Sequence, residues 1–285
     1  MSLLDSKVAV ITGSSRGFGL AMAHAFVSEG ASVVVSSRSN AAVQKAVESI
    51  RAASQGAQAV GFACDTSDMA QVEALGQYAV KTLGRFDVWV NNAGLSPTYG
   101  PTVHIQPEEF IKTTQTNVLG TYYGSVVALR HFLPRHTGKL INIMGAGARG
   151  PAPMQSAYGS SKAWIRNFTL ALAKEYQECG VGVYAFSPGM MTTEMLTDVR
   201  VVAGYEHLLQ SFPMVVRALG KPPEVPARKA VWLASSATDG RTGLEVYLFN
   251  PATALVGFAR ESLRRFMGRP SPQPDPQLTK IPPAI

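Results

Sequence analysis

A doubly wound α/β fold with a mostly parallel seven-stranded sheet is predicted for this chain from two observations. Short apolar runs alternate with longer helical segments, and a glycine-rich turn lies where the first strand runs into the first helix. The alternation is informative because parallel strands need crossover helices, so β-α-β-α order selects a sheet covered on both faces. The 285 residues, 46% hydrophobic and 16% charged, are ample for one large core.

The first strand is read at 8–12, where Val8-Ala9-Val10-Ile11 is short and apolar enough to be a buried strand. Thr12-Gly13-Ser14-Ser15-Arg16-Gly17-Phe18-Gly19 then leads into a helix at 18–30. Glycines at 13, 17 and 19 permit a tight turn and let the backbone approach a pyrophosphate, whose charge meets the free N–H groups of a helix N-terminus. The spacing is T-G-x-x-x-G-x-G rather than G-x-G-x-x-G, so the strand-to-helix position carries the nucleotide reading. Further strands are expected at 32–36, 59–63, 88–91, 140–143, 181–186 and 245–249. Helices are expected between them at 40–54, 68–84, 107–133, 157–179 and 224–236. The outcome is a single Rossmann-like domain over 1–250, with ligand sites at the carboxyl ends of the strands, and a C-terminal extension over 251–285.

Several strand ends and helices carry residues suited to chemistry. Asp65 follows the third strand and either accepts from an adenine amino group or caps the helix that starts near Asp68. Asn91-Asn92-Ala93-Gly94 ends the fourth and either contacts a cofactor or ties neighbouring strands together. Asn117 falls inside the 107–133 helix, where asparagine is a poor helix former, so a functional hydrogen bond or a local kink is expected there. Tyr158 and Lys162 stand four residues apart on one helical face. An ammonium beside a phenol lowers its pKa, which makes the phenol a proton donor or acceptor at neutral pH.

Taken in order, these motifs resemble the short-chain dehydrogenase/reductase family over roughly residues 5–250. The resemblance implies that Thr12 to Gly19 is the cofactor turn, with Gly13, Ser15, Arg16, Gly17, Phe18 and Gly19 against the dinucleotide. It implies further cofactor contacts from Asp65, Asn91, Ala93 and Gly94, and from Pro188, Gly189 and Thr193 of Pro188-Gly189-Met190-Met191-Thr192-Thr193. By the same resemblance Tyr158 protonates a nascent alkoxide as hydride leaves the nicotinamide. Lys162 holds the ribose and lowers the tyrosine pKa, Asn117 supports a proton-relay water, and Thr193 orients the carboxamide. The resemblance also implies a homodimer or homotetramer assembled through the helices holding Asn117 and Tyr158.

One position departs from that pattern. The family carries a serine thirteen residues before the tyrosine, and here the residue is Gly145. Losing one such donor costs about 2.7–4 kcal/mol of transition-state stabilisation. Two readings follow, a working reductase and a noncatalytic dinucleotide-binding sensor or scaffold. Over 140–196 the chain is also similar to the chlorophyll(ide) b reductases, whose loop reads G-A-G as Gly145-Ala146-Gly147 does here. Those enzymes use NADPH to reduce a formyl group on a large tetrapyrrole, so the resemblance implies a bulky substrate with room made for it at Gly145. Met144, Met154, Met190, Met191, Met195 and Met214 are either a pliable wall of that pocket or plain core.

Cofactor choice follows from charge. The stretch 33–40, with Ser37 and Arg38, contains no acid to take a ribose 2′-hydroxyl, while Arg38 and Arg16 are two cations able to bracket a 2′-phosphate. NADP(H) is therefore expected, in an NADPH-dependent carbonyl reductase acting on a bulky apolar or aromatic small molecule.

Other classes find little support. Cys64 and Cys179 lie far apart without a C-x-x-C or a leader, which points to a reducing cytoplasm. His131 and His136 are five apart, off a shared helical face, so no metal site is indicated. No apolar run approaches the roughly 20 residues of a membrane span, and a net charge of +7 without a long basic cluster does not indicate nucleic acid. From Gly268 to Pro283 the chain is proline-rich and expected to be extended or disordered. Just before it, Leu255, Phe258, Ala259, Leu263, Phe266 and Met267 share a helical face, with Arg260, Glu261, Arg264 and Arg265 mostly elsewhere. Packing of that face on its own domain or a neighbouring subunit is expected, and docking on an anionic membrane surface is the alternative.

Overall fold

Apolar alternation along the strands sorts the core onto two faces of one sheet. In the computed structural model, which describes residues 2–54, 56, 58–249, 251–271 and 273–284, Val33 and Val35 join a core with Ile11, Phe26 and Phe186. Val34 between them points to the opposite core, with Val10, Trp89, Phe132 and Leu140. Period-two alternation with apolar residues at every position is what a parallel sheet covered on both faces requires.

The sheet comprises β1 (Val8–Thr12), β2 (Ser32–Ser37), β3 (Ala59–Ala63), β4 (Val88–Asn91), β5 (Gly138–Ile143), β6 (Val181–Ser187) and β8 (Leu244–Tyr247). Its order is β3-β2-β1-β4-β5-β6-β8, and all pairings are parallel. The order reverses between β1 and β4, so the chain leaves those two strands in opposite directions and opens a crevice above their carboxyl ends. Helices α1 (Gly17–Ser28), α2 (Asn40–Ala53) and α9 (Glu224–Ala234) contribute to one face. On the other lie α3 (Met69–Leu83), α5 (Gly120–Phe132) and α6 (Ser156–Glu175).

The seven strands expected from the sequence are all present, three with the expected bounds and four with an end shifted by one or two residues. The predicted helix over 107–133 is helical from 107 to 132 but not α-helical throughout. It runs as α4 (Pro107–Thr114), a π-helical turn over Gln115–Leu119, and then α5. Asn117 sits in that π turn, a local departure from α geometry at the residue singled out as a poor helix former.

Beyond β6 the structure adds elements that periodicity did not reveal. These are α7 (Glu194–Thr197), β7 (Asp198–Val202), α8 (Phe212–Leu219) and β9 (Gln277–Ile281), while α10 (Pro251–Phe266) is the helix that apolar spacing in the extension predicted. β9 pairs parallel with β7 in a separate two-stranded sheet, and Ala203 N donates to Ile281 O at 2.8 Å. The proline-rich tail is thus extended and ordered across 277–281, because β7 supplies the ladder partners that the tail lacks by itself.

α10 corrects a second expectation. It packs on its own domain, against α8, but through Gly257 and Glu261 rather than through the apolar face. A Cβ on Gly257 would lie 2.4 Å from Ala218 O, so glycine lets the two helices close. Glu261 is buried there and pairs with Arg217, which also reaches Asp275.

Candidate active site

The cofactor turn is held from three sides. Thr12 Oγ1 accepts from the backbone N–H of Asn92 at 3.0 Å and of Ala93 at 3.1 Å, and it donates to Val90 O. Asn92 Nδ2 returns bonds to the carbonyls of Thr12 and Gly13, which locks the end of β1 to the end of β4. Ser14 Oγ donates to Ile11 O and accepts from Ser36 N, fixing the same turn to β2. Gly13 adopts φ +62°, and a Cβ there would stand 2.7 Å from Ala93 Cα. Glycine is therefore needed twice over, for its dihedral and for its close approach. Helix α1 then starts with no side chain capping its first turn, which leaves the anion-binding end of the helix to a ligand. Ser15 and Gly17 are half-buried, Phe18 and Gly19 are buried, and Thr193 lies over Gly17.

Of the two guanidinium groups expected at a 2′-phosphate, Arg16 is engaged by an acid. Arg16 is exposed and forms an ion pair with Glu194, immediately after Thr193. Arg38 lines an open cleft of about 350 Å³ with Asp65, Ser67, Glu108, Lys112, Gln115 and Thr116. Lys112 is therefore the cation that joins Arg38, and sequence reasoning passed over it because nothing along the chain links it to β2. Ser37, half-buried, ends β2 and donates to Ser39 O. Asp65 does not cap α3. That role belongs to Asp68, which accepts from Ala70 N and Gln71 N, while Asp65 Oδ1 accepts from Ser67 N and Oγ.

Asn91 is buried with its side chain committed to structure. Its Oδ1 accepts from Trp89 Nε1 at 2.8 Å, and its Nδ2 donates to Thr121 O, Ser125 Oγ and Asn142 Oδ1. Of the two readings for the N-N-A-G segment, these bonds support strand tying by both asparagine side chains. Asn117 is likewise fully buried, donating to Leu95 O and Ser161 Oγ and accepting from Leu95 N. Ser161 in turn donates to Tyr158 O, so it couples the π turn to α6. It stands inside Tyr158-Gly159-Ser160-Ser161-Lys162, where its identity was visible but its partner was not.

Around Gly94 the elements converge. A Cβ built there would lie 3.5 Å from Asn117 Oδ1 and 3.7 Å from Lys162 Nζ. Lys162 is buried and donates to Ile143 O at 3.0 Å, with its ammonium 5.5 Å from the Tyr158 ring centre. Burial lowers the Lys162 pKa to about 8 and raises that of Tyr158 to about 12. The direction for Tyr158 is opposite to the expectation that the lysine lowers it. The ammonium gives its bond to the Ile143 carbonyl and stands 5.5 Å from the ring centre rather than bonded to the phenol oxygen, so desolvation of the phenol prevails.

Gly145 also reads differently in three dimensions. A Cβ at 145 would stand 2.3 Å from the Tyr158 hydroxyl oxygen, and one at Gly147 would stand 2.3 Å from Gly159 Cα. The missing side chains let the β5–α6 loop lie directly against α6, and Tyr158 fills the volume that was expected to admit substrate. Met144 is buried with Ala148, Ile165 and Ala185 and takes a weak bond from Tyr247 Oη, so it is core and not pocket wall. Met154 and Met190 are half-buried, and Met195 is exposed. Pro188 is buried ahead of Gly189, which turns at φ +81°.

Comparison with known proteins places this geometry. A model of the short chain dehydrogenase family matches residues 7–202. The chain is 35% identical over 261 residues to 3β-hydroxysteroid dehydrogenase 1 of Eggerthella lenta, covering 90% of this chain and 97% of that protein. It is 36% identical over 204 residues to a probable chloroplastic chlorophyll(ide) b reductase of Arabidopsis thaliana, covering 66% of this chain and 41% of that longer protein. Among solved structures, an actinorhodin polyketide ketoreductase with NADPH superposes with a TM-score of 0.78 at 27% identity, covering 90% of this chain and 99% of that one. A 3-ketoacyl-(acyl-carrier-protein) reductase from Brucella melitensis, complexed with NADH, gives 0.75 at 30% identity, covering 86% and 97%. Among the described residues no helix is long and apolar enough to cross a membrane.

Proposed function

The chain belongs to the short-chain dehydrogenase family of oxidoreductases, and from that premise we propose that it is an NADPH-dependent reductase of an aldehyde or ketone on a bulky apolar or aromatic molecule. The observation that carries the reading is the convergence of half-buried Tyr158 with buried Lys162 and Asn117 on one corner beside Gly94 and Gly145. Such a corner holds a proton donor at a fixed place, which a sensor or scaffold does not need. Tyr158, with its pKa raised to about 12, stays protonated at neutral pH and is the acid that delivers a proton to the developing alkoxide. Lys162 keeps its ammonium at the cofactor end of the same corner, within reach of a ribose. Asn117 fixes the Leu95 backbone and, through Ser161, the first turns of α6.

The cradle fits a dinucleotide. Gly13 and the uncapped end of α1 suit a pyrophosphate, while Arg38 and Lys112 beside Asp65 suit the phosphorylated ribose and adenine. When bound, the nicotinamide supplies a hydride to the carbonyl carbon. The bulky substrate class rests on the similarity to the steroid dehydrogenase and the chlorophyll(ide) b reductase.

One experiment covers both parts. NADPH oxidation is followed against a panel of aldehydes, ketones, steroids and formyl-tetrapyrroles, with Tyr158→Phe and Arg38→Asp beside the wild type. Tyr158→Phe is expected to lose about 10²–10⁴-fold in kcat/KM while retaining NADPH. Arg38→Asp is expected to lose NADPH affinity by about tenfold or more and to leave NADH affinity largely intact. Turnover that survives in Tyr158→Phe removes Tyr158 as the acid, and no turnover with any carbonyl sinks the reductase reading in favour of a noncatalytic dinucleotide binder. Tighter binding of NADH than NADPH by the wild type removes Arg38 from its role.

A further inference from the structure

We infer that the outward face of α10 is a docking surface for an anionic lipid bilayer. The helix binds its own domain by its least apolar side, Gly257 against Ala218 O and Glu261 against Arg217. This turns the opposite side to solvent, where Phe266 is 90% exposed, Leu255 73%, Val256 67% and Leu263 57%. At about 100° per residue these side chains, with Ala259 and Met267, fall within an arc of roughly 120°. A contiguous apolar strip of this kind marks an interaction site on a folded protein.

Charge identifies the occupant. Glu261 is the only acid between 251 and 269, and it is buried against Arg217. Arg260, exposed, borders the apolar arc, Arg265 is exposed farther round the helix between Glu261 and Phe258, and exposed Arg269 follows three residues after Phe266. Every charge this segment turns to water is therefore positive, on a chain whose net charge is already +7. Two copies meeting through the face would bring these arginines together with no acid between them. A bilayer meets both features at once, with apolar side chains entering the acyl boundary and guanidinium groups among anionic headgroups.

The full chain is tested by cosedimentation with phosphatidylcholine vesicles, with and without phosphatidylglycerol, alongside Leu263→Ser/Phe266→Ser and Arg260→Gln/Arg265→Gln. The wild type is expected to bind the anionic vesicles, to release with salt, and to leave the zwitterionic ones unbound. Each double variant is expected to weaken that binding by about tenfold or more. Because all four positions are exposed, melting temperature and oligomeric state should not change. The proposal is overturned if the wild type ignores anionic vesicles or if the serine variant binds as well as wild type. It is equally overturned if the serine variant dissociates an oligomer, which would assign the face to a second copy.

Discussion

The two sides of the crevice are built from different materials. On the cofactor side, Thr12, Asn91 and Asn92 join the ends of β1, β4 and β5 through short bonds among buried groups. Among the segments after β6, beside the β7–β9 ladder and the buried Glu261–Arg217 pair, several contacts are ion pairs at the surface, Arg16 with Glu194, Arg200 with Glu109 and Lys280 with Glu206. A buried polar network is costly to break because each abandoned group stays desolvated, whereas an exposed pair exchanges its partner for water at little cost. The difference teaches that the buried network around the turn after β1 is costlier to disturb than the surface ion pairs of the segments after β6. Gly145 sits at the border between the two, with its space taken by Tyr158.

The sharpest test of that border is Gly145→Ser. Its Cβ would stand 2.3 Å from the Tyr158 oxygen, so the phenol must move. A displacement near 1 Å at a reacting group costs about a hundredfold in rate, and that loss is expected with small and bulky carbonyls alike. Faster turnover of small aldehydes by the serine variant would instead show that the phenol has slack and that Gly145 does leave room for substrate.

Next comes the buried side of the comparison. Asn91→Ala leaves Trp89 Nε1 and Asn142 Oδ1 without their partner and should cost roughly 2–3 kcal/mol in urea unfolding. A loss under about 0.5 kcal/mol, the range of an ordinary surface change, would remove the distinction between the two sides.

A smaller effect is expected from pH. Lys162, lowered to about 8 by burial, is an ammonium below that pH and loses its proton above it. Tyr158, raised to about 12, does not titrate in the same range. So kcat/KM for reduction should fall as pH rises through about 8, by about tenfold per unit beyond it. Lys162→Arg should move that limb upward, and a limb that stays in place in the arginine variant belongs to another group. Smallest of all, Glu194→Gln removes the exposed partner of Arg16 and should change stability by less than about 0.5 kcal/mol. A larger change would mean that the surface pairs after β6 are as costly to disturb as the buried network.

The sequence by itself determined whatever depends on near neighbours along the chain. Apolar runs located all seven sheet strands, glycine spacing located the turn after β1, and an asparagine out of place among helix formers located the π turn at Asn117. Each is a local preference of backbone or side chain, and local preferences are legible in order. Only the tertiary structure decided the rest. Arg16 turned to Glu194, Met144 went to the core, and Tyr158 filled the space above Gly145. β9 found β7 across more than 70 intervening residues, and α10 buried Glu261 while leaving Phe266 in water. Periodicity states which residues share a face, but whether that face meets a partner depends on elements far away in the chain, brought together only when the sheet has closed its order.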